Sequence, residues 1–193
     1  MINKVILASK SPRRHELLSM LGFEISTIVS DVDEDKVTAD TPELLASRLA
    51  HEKAVAVANE VVNTGLPIIA ADTLVEIDGE ILGKPKDEAD ARRMLTALSG
   101  NVHYVHTGIS VIFEGKEINL TDTAKVFFRK IDEYELDAYI SSKEPFDKAG
   151  AYGIQGKAGA FVERIEGDFF SIMGLPICAV TMALKELTKD SII

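Results

Sequence analysis

Four short segments carry residues whose types and spacing fit phosphate or metal chemistry. The first is Ala8-Ser9-Lys10-Ser11-Pro12-Arg13-Arg14, at the exit of an expected strand and the start of an expected helix. A helix start presents unpaired backbone N–H groups and the positive end of the helix dipole, which suits an anion. Ser9 and Ser11 add hydroxyl donors, and Arg13 and Arg14 can fork onto phosphate oxygens. Capping alone accounts for Ser11 and Pro12. It leaves two arginines at the end of a helix where cations cost roughly a few tenths of a kcal/mol each. The second segment is Ala70-Ala71-Asp72-Thr73-Leu74, in which alternation puts Asp72 on one strand face with Ile68, Ala70 and Leu74. A lone buried carboxylate is costly unless a cation or metal faces it. The alternative is that Asp72 ends the strand and accepts backbone N–H groups.

The third segment, Gly83-Lys84-Pro85, holds a lysine between a permissive and a stiff residue. Lys53, in Ala50-His51-Glu52-Lys53-Ala54, is another cation, within a helix that is otherwise small and apolar. For both lysines a solvated surface position is the plain alternative. The fourth is Asp147-Lys148-Ala149-Gly150-Ala151-Tyr152-Gly153-Ile154-Gln155-Gly156. Glycines bring backbone donors close to a ligand, and the Gln155 amide has the donor and acceptor needed to read one edge of a base. Tyr152 either stacks on a ring or covers core, and the whole run also reads as a wide structural turn.

Other chemistries lack their signatures. The chain has no Gly-x-x-x-x-Gly-Lys-Ser/Thr, no Gly-x-Gly-x-x-Gly after a strand and no Gly-x-Ser-x-Gly. His15, His51, His103 and His106 have no zinc-site spacing, and His103 and His106 fall on opposite faces of a strand. Cys178 is the single cysteine, which excludes an intramolecular disulfide, and its apolar neighbours predict a buried small side chain.

These segments need elements to position them. Residues 5–8 predict a buried strand, and Ser11-Pro12 opens a helix with Leu17, Leu18 and Leu21 on one stripe, ended by Gly22. Residues 23–29 predict a second strand, and Thr41-Pro42 opens an alanine-rich helix to about Val62. Residues 68–77 and 80–82 form a hairpin across Asp78-Gly79, and Asp87 caps a helix that stops near Ser99-Gly100. Two long strands follow over 102–113 and 117–130, then a helix opened by the Asp132/Glu135 capping box. The glycine-rich loop of 147–159 precedes two short strands and a final helix from about Pro176. Helices alternating with hairpins predict an α/β fold on a mixed, strongly twisted sheet, in one domain over 1–193.

Bulk properties narrow the function. A hydrophobic share of 46% and a charged share of 27% suit a globular protein with a sizeable core. The net charge of −10 opposes general nucleic-acid binding, while local cations and a metal still permit a small phosphate ligand. The opening residues are too short an apolar run for a signal peptide, and no stretch approaches a membrane span, so a cytoplasmic protein without membrane contact is expected.

Taken in order, the four segments together with Glu34 and Glu52-Lys53-Ala54 resemble the Maf family, the septum-formation inhibitor-like proteins, over nearly the whole chain. The resemblance implies a fold like that of inosine triphosphate pyrophosphatases: an elongated mixed sheet with flanking helices and two lobes around a central cleft. It also implies hydrolysis of a nucleoside triphosphate to monophosphate and pyrophosphate, with a divalent metal (magnesium, or else manganese or cobalt), often in a homodimer. The run from Asp147 to Gly156 looks like the subgroup that takes dTTP and UTP, limiting incorporation of modified nucleotides. On this resemblance Asp72 is proton acceptor and, with Glu34, metal ligand. Ser9, Arg13, Arg14, Lys53 and Lys84 meet the phosphates, and Arg13, Thr73 and Gln155 set base preference. Sequence leaves open whether Asp72 is base or only metal ligand. The competing readings are a pyrophosphatase for other modified nucleotides, and a non-catalytic regulator of septum formation acting through protein contacts.

Overall fold

The computed structural model describes residues 2–61 and 64–190. Strand β1 (Lys4–Leu7) buries Val5, Ile6 and Leu7 and leads to helix α1 (Pro12–Met20), where the Ser11 hydroxyl accepts the Arg14 N–H at 3.4 Å. Gly22, at φ +83°, turns the chain into strand β2 (Glu24–Thr27). Helix α2 (Pro42–Glu60) starts where the Thr41 hydroxyl accepts the Leu44 N–H at 3.3 Å. The expected end of α2 at Val62 lies outside the described residues.

Strands β3 (Ile68–Ile77) and β4 (Glu80–Leu82) pair antiparallel across Asp78-Gly79, and Asp87 caps helix α3 (Glu88–Leu98). Strands β5 (Val102–Phe113) and β6 (Lys116–Phe128) follow, then helix α4 (Glu133–Ser141) with its capping box formed. The chain ends its regular structure with strand β7 (Val162–Glu166) and helices α5 (Phe169–Met173) and α6 (Ile177–Thr188). The seven strands make one sheet in the order β2-β1-β3-β5-β6-β7, with β4 on β3. Strand β1 runs parallel to β2 and β3, whereas β4 and β7 are antiparallel to their neighbours, so the sheet is mixed, as expected for an α/β fold. No helix among the described residues is long and apolar enough to cross a membrane.

The chain divides into two compact units, the first comprising Met1–Asp72, Thr107–Asp122 and Gly174–Ile193, the second Thr73–His106 and Thr123–Met173. In the first, Ile6, Ala8, Ala54, Val57, Ile68 and Ala70 form a small-residue core between α2 and the sheet. Gly108 of β5 shows how close that packing is, since a Cβ there would stand 2.1 Å from the Ala46 carbonyl oxygen. In the second, α3 and α4 pack Leu95, Leu98, Leu136 and Tyr139 into one core with Phe128, Tyr152 and Phe161.

Three expectations change. The glycine-rich segment is not one open loop but carries short 3₁₀ turns at Glu144–Asp147, Ala149–Ala151 and Lys157–Phe161. One strand follows it rather than two, because Gly167 (φ +120°) breaks the ladder and Asp168 accepts the Phe170 N–H at 2.7 Å, starting α5. Cys178 is exposed: α6 buries Val180, Ala183 and Leu184, which leaves Cys178 on the outward face with Met182.

Candidate active site

In the first unit, Lys53 from the middle of α2 meets Asp72 from β3 and Glu34 from a single 3₁₀ turn at Glu34–Lys36. Lys53 Nζ donates to Asp72 Oδ1 at 2.5 Å and stands 2.7 Å from Glu34 Oε1. Lys53 is only 9% exposed and Asp72 7%, so the surface-lysine alternative fails, as does a strand that stops at Asp72. Desolvating two such charges is costly, and they persist because each is the other's partner. The small residues around Lys53 on α2 allow this, since Ala50, Ala54 and Val57 let the helix approach the sheet until the lysine reaches β3.

The Ser9 to Arg14 segment is in the same unit. Arg14 Nε donates to the Gly174 carbonyl at 2.8 Å and Nη1 to Ser9 Oγ at 3.0 Å, so part of its fork is already engaged. Burial pulls the Arg14 pKa down, the charges of Asp72 and Glu34 oppose that, and Arg13 adds to the lowering. Those carboxylates explain a cation at the wrong end of a helix. Ser9 Oγ also accepts the Ser11 N–H at 3.2 Å, which leaves its proton to point elsewhere. Arg13 is half-buried beside them in sequence.

Thr73, Lys84 and Gln155 belong to the second unit. Thr73 is half-buried on β3, and Lys84 and Gln155 are exposed. The Gly83-Lys84-Pro85 turn is tied to the glycine-rich segment, because Gly150 N–H donates to Gly83 O at 3.0 Å. Around Gln155 the glycines make room for the chain's own side chains: a Cβ at Gly153 would stand 2.6 Å from Lys148 Cε, and one at Gly156 1.9 Å from Glu144 Oε1. Tyr152 is buried core, and His103 Nε2 lies 2.8 Å from its hydroxyl. That pairing was invisible in the sequence, as was the Gly174 carbonyl that anchors Arg14. His103 and His106 do diverge, His106 Nδ1 lying 2.9 Å from the Thr123 hydroxyl.

Among the described residues no group of three or more His, Cys, Asp or Glu side chains is placed to hold a metal ion. Glu34 and Asp72 nonetheless bring two carboxylates side by side, each giving one oxygen to Lys53 Nζ. Magnesium fits such a donor pair, since it commonly takes one or two carboxylates and fills its shell with water and phosphate oxygens. A separate cavity of about 540 Å³ in the first unit is lined by Leu44, Ser47, Arg48, His51 and neighbours, on the side of α2 away from Lys53.

A family profile described as "Maf-like protein" matches residues 4–187. A dTTP/UTP pyrophosphatase of Bacillus thuringiensis subsp. konkukian (strain 97-27) is 44% identical over 189 residues, which is 98% of each chain. One of Chromobacterium violaceum is 48% identical over 186 residues, covering 95% of this chain and 94% of that one. Among solved structures, the Staphylococcus aureus Ham1 protein superposes with a TM-score of 0.46 at 18% identity, over 65% of this chain and 71% of that one, too slight a likeness to carry a conclusion.

Proposed function

The chain belongs to the Maf-like protein family, and from that premise we propose that it is a pyrophosphatase converting dTTP and UTP to the nucleoside monophosphate and pyrophosphate. The observation that supports this best is the buried Lys53 holding two carboxylates, Asp72 and Glu34, in the same unit as the Ser9–Arg14 anion-binding segment. A hydrolase of phosphoanhydrides needs both signs of charge: acids to handle water, cations to receive phosphate oxygens.

On this reading Asp72 takes a proton from the water that attacks the α-phosphorus. A new P–O bond forms from water, the bond to the bridging oxygen breaks, and pyrophosphate leaves with that oxygen. Lys53 orients the Asp72 carboxylate, and the Ser9 hydroxyl donates to a phosphate oxygen. Arg13, Arg14, Lys53 and Lys84 offset the triphosphate charge, while Arg13, Thr73 and Gln155 set base preference. Glu34 and Asp72 would hold a divalent cation, magnesium by the hardness of their oxygens, which would neutralise charge on the phosphates. Cytoplasmic location, a homodimer, and removal of modified pyrimidine triphosphates complete the proposal.

The test is incubation of purified protein with Mg²⁺ and each of dTTP, UTP, CTP, GTP and ATP, with products separated by chromatography. Monophosphate and pyrophosphate from dTTP and UTP are expected, and Asp72→Asn should lose about 10³-fold in rate while staying folded. Diphosphate and free phosphate would mean attack at the terminal phosphorus and overturn the assignment.

A further inference from the structure

The second unit buries a polar pair that the proposed chemistry does not use. His103 of β5 is fully buried and Tyr152 is 5% exposed, yet they face each other across 2.8 Å in a core of aromatic and aliphatic side chains. The His103 ring meets Phe128 edge-on at 4.9 Å and Tyr152 at 5.3 Å. Burial pushes the His103 pKa down to about 3 and the Tyr152 hydroxyl up, so both are neutral and no proton moves between them near pH 7. Two neutral polar groups in an apolar core do little for stability compared with apolar replacements; what they specify is position.

What they position is the turn just before Tyr152. Gly150 (φ +67°) and Ala151 (φ +60°) are consecutive left-handed residues, a conformation disfavoured for a side chain with a Cβ such as Ala151. Three contacts hold it. Gly150 N–H donates to Gly83 O at 3.0 Å, Ala151 N–H donates to Lys148 O at 3.2 Å, and the Gly150 Cα packs so closely on Val75 that a Cβ would stand 2.9 Å from Cγ1. Tyr152 is the next residue, and its hydroxyl ties this turn to His103 of β5 inside the core. The turn thus joins the Gly83-Lys84-Pro85 segment to the loop that presents Gln155.

We propose that His103 is a positioning residue for base recognition: through the Tyr152 hydroxyl it fixes the turn that sets Lys84 and Gln155 relative to one another. The proposal rests on the dTTP/UTP reading for the role of Gln155. It requires no contact between His103 and the nucleotide.

The test compares wild type with Tyr152→Phe, His103→Gln and the double variant His103→Leu/Tyr152→Phe. Hydrogen exchange at the Gly150 amide, melting temperature, and kcat/KM for UTP and CTP are measured. Tyr152→Phe should lose Gly150 protection, and its preference for UTP over CTP should fall at least about ten-fold. His103→Gln, whose amide reaches about where Nε2 stands, should keep both. The double variant should regain melting temperature, because no buried polar group is left unpaired, without regaining preference or protection. A merely structural pair would restore all three together. Unchanged Gly150 protection in Tyr152→Phe and the double variant overturns the proposal, and lost protection with an unchanged ranking overturns its link to recognition. Wild type that hydrolyses no nucleotide sinks the functional reading instead, and Gly150 protection then decides the positioning claim by itself.

Discussion

Replacing Lys53 with Met separates the two halves of the buried charge cluster. The side chain keeps its length and apolar stem but loses the ammonium that bonds Asp72 at 2.5 Å and Glu34 at 2.7 Å. The two arms are unequal. The Glu34 side chain is 57% exposed, so water takes over and that arm contributes under about 1 kcal/mol. The Asp72 side chain is 10% exposed and cannot be rehydrated without moving β3, so removing its partner costs about 3–4 kcal/mol. For a chain of 193 residues that corresponds to a fall in melting temperature of about 10 °C. The double variant Lys53→Met/Asp72→Leu removes both charges and should recover most of the loss while remaining inactive. Thermal melts at pH 7 on the three proteins decide it. A Lys53→Met variant as stable as wild type at pH 7, with no gain in the double variant, would refute the buried pair.

Gly108→Ala should destabilise by about 3 kcal/mol, the upper end for overpacking, because the new Cβ meets helix backbone at Ala46 and Ser47 rather than a side chain that can move; urea unfolding reads it directly. His103 gives a pH dependence with a definite sign. Its folded pKa of about 3 lies below the unfolded value of about 6.5, so its contribution is present above pH 6.5 and lost as pH falls towards 3. The slope is about 1.4 kcal/mol per pH unit below 6.5, and it should be missing from His103→Gln; parallel stability curves for the two proteins would count against a buried neutral ring.

Signals that act within a few residues were legible in the sequence. Ser11, Thr41, Asp87 and Asp132 each cap the helix they announce, because an N-cap oxygen needs only an N–H two or three positions along. Asp78-Gly79 makes its hairpin for the same local reason. The sequence also contained every residue of the Lys53 cluster, yet not its assembly. Helix α2 is alanine-rich on several sides, so its pattern does not say which face docks, and a lysine in it reads as solvated. Cys178 failed in the opposite direction, because an apolar neighbourhood along the chain does not fix which side of α6 turns inward.

The tertiary structure alone decided the contacts between distant positions. Lys53 and Asp72 are 19 residues apart, His103 and Tyr152 49, and Arg14 reaches the carbonyl of Gly174 across 160. No periodicity or motif spacing encodes such pairs, since they depend on which faces of α2, β3 and β5 the chain packs together. Local hydrogen-bond chemistry drew the elements of this protein; the burial of small residues that lets those elements approach set where its charges meet.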